Sequence, residues 1–226
     1  MSQELLFISI CLLDLFLILL AFRLGKNYLL AMIVGHILFT NMVSSKLINV
    51  FGLDGTVGNV FYAAIFLATD LLSEHHGKKA AFQSVKLGFF TLMILIIFGP
   101  LINLFQSVEY TMLESDSLEV IFGKTARISI ASLVAYVLSN TFDVWWYEIL
   151  YKKFNSKKLL FLRNIGSTSV SQLLDNTVFV LLAFAGTVPN SVLLQIWLAG
   201  YAIKLMIAVL DTPFMYISYW IKPKAI

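Results

Sequence analysis

Five charged residues stand out because each lies inside a long apolar segment of the chain: Asp70, Arg127, Asp143, Asp175 and Lys204. A charge at bilayer depth is costly unless it is paired or faces a water-filled cavity. Carboxylates accept hydrogen bonds, whereas Arg and Lys donate them. Together these residue types predict a polar pocket inside a membrane-embedded helical bundle, with a small polar solute as its occupant.

A short pattern occurs twice in the second half of the chain. Ser139-Asn140-Thr141-Phe142-Asp143 and Ser171-Gln172-Leu173-Leu174-Asp175 both contain Ser, an amide residue, two spacers and Asp. An amide and a carboxylate three residues apart share one face of a helix. The repeat indicates two similar half-sites that converge on one solute. The alternative is a pair of hydrogen-bonded contacts between helices, which are common in membrane bundles.

The two cations are expected to pair with aspartates, because pairing lowers the cost of burying both charges. Arg127 and Asp143 are too far apart to meet on one helix, so we expect the partners to come from different helices. A pocket that contains both signs of charge suits a zwitterionic or multiply hydrogen-bonding solute better than a bare ion.

Two further carboxylates, Glu74 and Asp211, are candidates for coupling or gating. Glu74 follows Asp70 by one helical turn and shares its face. Asp211 precedes Pro213, which is expected to kink or break its helix. Burial favours the protonated form of a carboxylate, so Asp70, Glu74 and Asp211 are the groups expected to carry a coupling proton. A bend that serves only packing is an equal interpretation of Pro213.

The composition sets the class of protein that must position these residues. Hydrophobic residues make up 59% of the chain and charged residues 13%, with a mean hydropathy of +0.87. Soluble domains carry about 25% charged residues, so a polytopic membrane protein is predicted. No Walker A sequence or His-Glu-x-x-His spacing is present, and the single Cys11 provides no disulfide or thiolate metal site. We expect no cofactor, no metal and no nucleic-acid partner.

Seven apolar segments are predicted to be transmembrane helices. Their approximate bounds are 4–22, 28–48, 57–74, 84–106, 120–148, 164–187 and 191–220. Helices satisfy the backbone polar groups internally, and no regular alternation of the barrel type is seen. The expected fold class is therefore an all-α polytopic membrane protein.

Positive charge follows every second segment. The basic positions are Arg23, Lys26, Lys78, Lys79, Lys152, Lys153, Lys157, Lys158, Arg163, Lys222 and Lys224. The other connections are acidic or uncharged. The positive-inside rule then places the N-terminus outside the cell and the C-terminus in the cytoplasm. The expected localisation is the inner membrane, which the chain crosses several times.

The polar motifs occur in an order that matches a known family. They are Asn41-x-x-x-Ser45-Lys46, Gly52, Phe66-Leu67-Ala68-Thr69-Asp70-x-x-x-Glu74-x-x-Gly77-x-x-Ala80, Arg127-x-x-x-Ala131-Ser132, Ser139-Asn140-x-x-Asp143, Leu162-Arg163-Asn164-x-x-Ser167-Thr168-x-x-Ser171-Gln172-x-x-Asp175-Asn176, Lys204 and Asp211-Thr212-Pro213. The chain resembles the queuosine precursor transporter family, also called the vitamin uptake transporter family, over residues 28–220. We therefore expect an extra N-terminal helix in 1–27 and a transporter core in 28–226.

The resemblance implies a function and a set of site residues. The family takes up 7-deazaguanine precursors of the tRNA base queuosine, mainly 7-cyano-7-deazaguanine and 7-aminomethyl-7-deazaguanine, with queuine as a further candidate. Its six-helix core resembles the substrate-binding subunits of energy-coupling-factor vitamin importers, but it works without their ATPase, as a secondary transporter or facilitator. The substrate-binding residues carried over are Asp70, Arg127, Asn140, Asp143, Gln172, Asp175 and Lys204.

The chemistry of the ligand is compatible with these residues. One carboxylate, Asp143 or Asp175, would accept hydrogen bonds from the adjacent N–H and amino groups of a deazaguanine. An amide or a cation would donate to its carbonyl oxygen. The expected partners are this small molecule and the lipid bilayer, and a homodimer is the candidate assembly.

Three alternatives stay open at this point. The first is transport of another small vitamin-like or purine-like solute. The second is an intramembrane enzyme, although no nucleophile with a nearby base can be identified. The third is a structural or signalling bundle, which would tolerate replacement of Asp143 and Asp175 by Asn.

Overall fold

The computed structural model describes residues 2–123 and 126–221, apart from the side chains of Ala63 and Ala126. The predicted cytoplasmic positions Lys222 and Lys224 lie outside the described residues. The elements, in chain order, are α1 (Gln3–Leu24), α2 (Lys26–Val43), β1 (Leu47–Val50), β2 (Leu53–Thr56), α3 (Gly58–His76), α4 (Lys78–Ile102), α5 (Met112–Phe122), α6 (Ala126–Lys153), α7 (Leu160–Phe184) and α8 (Asn190–Ser218). One-turn 3₁₀ helices precede α5 and α7.

Each predicted segment corresponds to one long helix. Four of these helices, α1, α4, α6 and α8, are long and apolar enough to cross a membrane by length and composition. An all-α membrane fold is therefore supported. The other long helices, α2, α3 and α7, carry many of the polar positions of the interior, which lowers their hydropathy.

Several predicted boundaries are wrong, and two of these errors have a local cause. Helix α4, for example, begins at Lys78 rather than at residue 84. The second segment was expected to run to residue 48, but α2 ends at Val43 and a β-hairpin follows. Phe51 and Gly52 form its two-residue turn with positive φ at both positions, which matches the right-handed twist of the flanking strands. The fifth segment was expected from residue 120, but the separate helix α5 ends at Phe122 and α6 begins at Ala126.

The hairpin folds back against the helices. The ring of Phe51 packs edge-on against Phe7 of α1, with centroids 6.3 Å apart, so the hairpin and the start of α1 lie at the same end of the bundle. We call this the hairpin end. The inner side of the hairpin lies against the middle of α8, because a Cβ on Gly55 would stand 2.4 Å from Cδ1 of Ile203.

Single glycines join two pairs of helices at the opposite end. Gly25 (φ 122°) separates α1 from α2, and Gly77 (φ 77°) separates α3 from α4. Only glycine adopts these φ values without strain, so the chain reverses direction within one residue. The tight joints bring α1 to α4 together around an apolar core that includes Phe22, Ile33 and Leu71.

Helix α7 is the exception to this apolar packing. Eight of its eleven buried residues are polar: Arg163, Asn164, Ser167, Thr168, Ser171, Gln172, Asp175 and Asn176. They recur at i, i+1, i+4 and i+5, so they form one face that runs for about 20 Å along the helix. This polar face packs mainly against α6 and α8.

Pro213 does not break its helix. Helix α8 continues from Asn190 to Ser218 through this residue, so of the expected kink or break, the break is wrong and the kink stays a prediction. The hydroxyl of Thr212 donates to the carbonyl of Ala208, one turn earlier, at 3.3 Å.

Candidate functional site

A cavity of about 950 Å³ lies between the hairpin and the ends of α2, α3, α6, α7 and α8. Its wall extends from Phe184 and Val192, near the α7–α8 connection, to Asp175 and Lys204 in the interior. This volume is within the usual range for small-molecule sites, which is about 300–1,000 Å³. The cavity is therefore large enough for a planar bicyclic solute and several waters.

Asp175 forms the floor of the cavity and has three partners. Tyr62 donates its hydroxyl to Oδ1 at 2.7 Å, and Ser139 donates to the same oxygen at 3.1 Å. The ammonium of Lys204 forms a buried ion pair with Oδ2. Both carboxylate oxygens are thus occupied by groups from α3, α6 and α8.

Lys204 is held by a second interaction. Its Nζ lies 5.0 Å from the ring centroid of Tyr62, within the range of a cation–π contact. The side chains of Asp175 and Lys204 are almost completely buried but still line the cavity. The prediction that Lys204 pairs with an aspartate is confirmed.

The remaining wall of the cavity combines amides with apolar surface. Asn59 at the start of α3, Asn176 on α7 and Gln195 on α8 contribute amide groups. Phe179 and Tyr136 contribute aromatic rings. A few polar groups on a mainly apolar wall are typical of sites that bind small organic molecules.

The repeated Ser–amide–Asp pattern forms a reciprocal contact between α6 and α7. Ser139 of α6 bonds Asp175 of α7, and Ser171 of α7 donates to Asp143 of α6 at 2.5 Å. Helices that run in opposite directions bring the serine of one motif to the aspartate of the other. The two serines therefore form hydrogen-bonded contacts between helices, which was the alternative interpretation of the repeat. Of the two aspartates, Asp175 lines the cavity and Asp143 does not.

A cluster of three carboxyls lies deeper in the bundle, beyond the floor of the cavity. Asp70, Asp143 and Asp211 come from α3, α6 and α8, and all three are fully buried. Thr168 donates to Asp70 at 3.0 Å, and the amide of Asn164 donates to Asp211 at 2.6 Å. We call these three carboxyls the acidic cluster.

Glu74 closes the polar face at the end opposite the hairpin. It forms an ion pair with Arg163 at 2.5 Å, and the hydroxyls of Tyr147 and Tyr219 donate to its carboxylate. The guanidinium of Arg163 also donates to the carbonyls of Phe154 at 2.5 Å and Ser156 at 2.9 Å. The arrangement ties α3, α6, α7 and the end of α8 together, with the side chains of the ion pair no more than 2% exposed.

Arg127 lies apart from these groups. Because α6 begins at Ala126, Arg127 is in its first turn and is exposed. Its guanidinium donates to the carbonyls of Leu182 at 2.6 Å and Ala185 at 2.5 Å, at the end of α7. The expectation that it pairs with an aspartate is therefore wrong, and its role in binding a substrate stays a prediction.

The seven predicted substrate-binding residues thus fall into three places. Asp175 and Lys204 line the cavity. Asp70, Asn140, Asp143 and Gln172 are fully buried on the side of the cavity floor away from the hairpin. Both side-chain heteroatoms of Gln172, and Oδ1 of Asn140, have no hydrogen-bond partner among the described residues.

Several cavity groups were missed by the sequence reasoning. Asn59 and Gln195 belong to no repeated motif, and the contribution of the hairpin was hidden because its first strand had been assigned to a helix. Tyr62 was not among the predicted site residues. A signal for it was present, because a hydroxyl at membrane depth needs a polar partner.

Comparisons with known proteins give concordant results. A family model described as a putative vitamin uptake transporter matches residues 56–218, which contain α3 to α8. A protein of Bacillus subtilis (strain 168) named "Probable queuosine precursor transporter" is 38% identical over 192 residues, which cover 85% of this chain and 83% of that protein. No solved structure matches the chain.

Proposed function

This chain belongs to the putative vitamin uptake transporter family, and from that premise we propose that it imports queuosine precursors of the 7-deazaguanine class. The observation that carries the proposal is the cavity of about 950 Å³ that ends on the Asp175–Lys204 pair. The B. subtilis relative supplies the class of substrate through its name.

The floor of the cavity offers the groups that a deazaguanine needs. A 7-deazaguanine presents an N–H and an amino group side by side, and a carboxylate accepts both at once. Its carbonyl oxygen requires a donor, which Lys204 supplies. Tyr62, Tyr136 and Phe179 provide aromatic surface for the planar ring system.

Binding at this floor proceeds by exchange of partners. In the structure, Lys204 bonds Oδ2 of Asp175, while Tyr62 and Ser139 bond Oδ1. The ligand's N–H and amino groups take the place of the ammonium, which then turns to the ligand's carbonyl oxygen. During the exchange Asp175 keeps the hydroxyls of Tyr62 and Ser139, and hydrogen bonds from the ligand to both charged groups replace the ion pair.

The closed end of the polar face supports alternating access. The cavity reaches the interior from the hairpin end, whereas the Glu74–Arg163 pair and its tyrosines fill the opposite end. With the N-terminus outside, as the charge pattern predicts, this conformation faces outward. Opening of the Glu74–Arg163 gate would release the solute to the cytoplasm.

The rest of the proposal follows the family resemblance. The protein works in the inner membrane as a secondary transporter or facilitator, without an ATPase. Its six-helix core is like that of energy-coupling-factor substrate-binding subunits, and residues 1–27 add a further helix that packs on α2, α3 and α8. A homodimer is the candidate assembly, and another vitamin-like or purine-like solute is the alternative cargo.

Thermal stabilisation of the purified protein tests the proposal directly. We would measure unfolding with 7-cyano-7-deazaguanine, 7-aminomethyl-7-deazaguanine, queuine and guanine, each at increasing concentration. A ligand at 100 times its dissociation constant stabilises the native state by about 2.7 kcal/mol. A deazaguanine is expected to raise the unfolding temperature of the wild type.

Two matched variants locate the site. Asp175→Asn removes the carboxylate at the floor, and Asp54→Asn removes a carboxylate from the hairpin wall of the same cavity. The ligand-induced shift is expected to vanish in Asp175→Asn and to persist in Asp54→Asn. No shift of the wild type with any of the four compounds would overturn the substrate class.

A further inference from the structure

The acidic cluster contains hydrogen-bond acceptors that lack donors. Oδ1 of Asp70, Oδ2 of Asp143 and Oδ2 of Asp211 are buried and have no partner among the described residues. Oδ1 of Asn164 is also buried without a partner among the described residues, although the amide nitrogen of this side chain donates to Asp211. A buried acceptor without a donor is costly, and a charged one is more so.

The cluster also lacks a neutralising cation. The ion pairs of the described residues are Asp14–His36, Glu148–Lys152, Glu74–Arg163 and Asp175–Lys204. None of them includes Asp70, Asp143 or Asp211. The buried cations Arg163 and Lys204 already neutralise Glu74 and Asp175.

The charged and titratable groups around the cluster come from every long helix that packs on it. They are Glu74 on α3, Tyr147 on α6, Arg163 and Asp175 on α7, Lys204 on α8, and the more distant Asp14 on α1 and His36 on α2. The hydroxyl of Tyr147 is committed to Glu74. None of these groups is a free donor for the three carboxyls.

We propose that Asp70, Asp143 and Asp211 form a proton-binding site, and that proton transfer through it drives the transport reaction. At least one carboxyl of the cluster is protonated at neutral pH, and its O–H donates to a neighbouring carboxylate. Thr168 and Ser171, which lie one turn apart on α7, bond Asp70 and Asp143, so these two carboxyls are the pair that shares the proton. Each binding step converts one carboxylate and one proton into one carboxylic acid.

The position of the cluster explains how proton transfer would be coupled to movement of the solute. It lies on the polar face of α7 between the cavity floor and the Glu74–Arg163 gate, and Thr168, Ser171 and Asn164 of α7 bond one carboxyl each. A proton taken from the cavity side converts one carboxylate of the cluster into a carboxylic acid. Opening of the gate then exposes the carboxyls to the cytoplasm, where the proton leaves. This inference rests on the proposed import, because the proton travels with the solute.

The chemistry favours a proton over a metal ion. No group of three or more His, Cys, Asp and Glu side chains in the described part of the chain is arranged to hold a metal ion. A proton needs only one acceptor on either side, and the unpartnered carboxyl oxygens of the cluster supply acceptors. Full burial of three carboxyls without counter-charge also favours neutral acids over carboxylates.

Infrared spectroscopy of the purified, ligand-free protein tests the proton site without any substrate. The carbonyl band of protonated carboxylic acids is measured at neutral pH in the wild type, Asp143→Asn and Asp211→Asn. Glu148→Gln, which removes a carboxylate from a surface ion pair, is the matched control. The wild type and Glu148→Gln are expected to show the same band, and each cluster variant is expected to lose intensity.

Uptake into vesicles tests the coupling with the same variants. Uptake of labelled 7-cyano-7-deazaguanine is expected to increase when the outside is made acidic, and this increase is expected to be lost in Asp211→Asn and Asp143→Asn. Absence of the acid band from the wild type, or stimulation of uptake by a sodium gradient instead, would overturn the proposal. If the band is present and lost in the variants but no deazaguanine binds, the proton site stands and the proposed substrate fails.

Discussion

The Asp175–Lys204 pair and the acidic cluster lie along the same polar face, but their buried carboxyls differ in how many partners they have. Asp175 is matched by a cation and two hydroxyls, and both of its oxygens have partners. The three carboxyls of the cluster receive donors from α7 on one oxygen each, and their other oxygens have none among the described residues.

This difference in partners fits the two proposed ligands, a small organic solute at Asp175 and protons at the acidic cluster. A balanced ion pair with access to a cavity is suited to exchange its partners with a solute that carries both donors and acceptors. An unbalanced carboxyl cluster away from the cavity is suited to bind and release protons. Substitutions that change the charge at one place or the other should therefore have opposite effects on stability.

The largest loss is expected from Arg163→Met. The substitution leaves the carboxylate of Glu74 buried without its cation and removes the bonds to the carbonyls of Phe154 and Ser156. Breaking a buried pair in this way costs about 3–5 kcal/mol, and the added carbonyl bonds place this variant at the upper end. Denaturant unfolding in detergent measures the change in the free energy of unfolding. A loss below about 1 kcal/mol would show that the Glu74–Arg163 ion pair does not stabilise this end of the bundle.

A loss of about 3–5 kcal/mol is also expected from Lys204→Met, because Asp175 is then left buried without a counter-charge. The double variant Lys204→Met/Asp175→Asn removes both charges and should recover most of the lost stability. The same unfolding assay measures both proteins. A double variant as unstable as Lys204→Met would contradict the charge-balance explanation.

Gly88→Ala tests packing next to the cavity without changing a charge. A Cβ at Gly88 would stand 1.9 Å from the hydroxyl oxygen of Tyr136, so α4 and α6 must separate or the ring must move. We expect a loss of about 1–3 kcal/mol. Gly35→Ala in α2 is the control, since a Cβ there meets no atom within 4 Å, and it should leave stability unchanged or slightly increased.

The smallest change is expected from Asp143→Asn. An amide resembles a protonated carboxyl in shape and can donate to Asp70, so the free energy of unfolding at neutral pH should change by less than about 1 kcal/mol or should increase. A loss as large as that of Lys204→Met would mean that Asp143 is ionised and has an essential charge partner.

The sequence predicted the helices well where a pattern was local. Runs of apolar residues predicted a helix near each of α1 to α4 and α6 to α8. The pairing of Lys204 with an aspartate was also predicted, because a buried ammonium needs a counter-charge. The choice of Asp175 as that partner depends on the rotation of α7 and α8, which no local pattern determines.

The errors arose where helices end. The polar residues Ser44, Ser45 and Lys46 mark the end of α2 at Val43, but the largely apolar strand that follows them made the segment look longer. The start of α6 was placed too early, so Arg127 was expected inside the bundle rather than at the end of α7. The cavity is formed by these helix ends and the hairpin, so its position required the tertiary structure.

Uptake by purified protein in vesicles tests the central claim most directly. Labelled 7-cyano-7-deazaguanine is supplied outside, and accumulation is compared for wild type, Asp175→Asn and the control Asp54→Asn. We expect saturable uptake by the wild type and by Asp54→Asn, and none above empty vesicles by Asp175→Asn. Equal uptake by Asp175→Asn, or no uptake by the wild type, would contradict the assignment of the cavity floor as the substrate site.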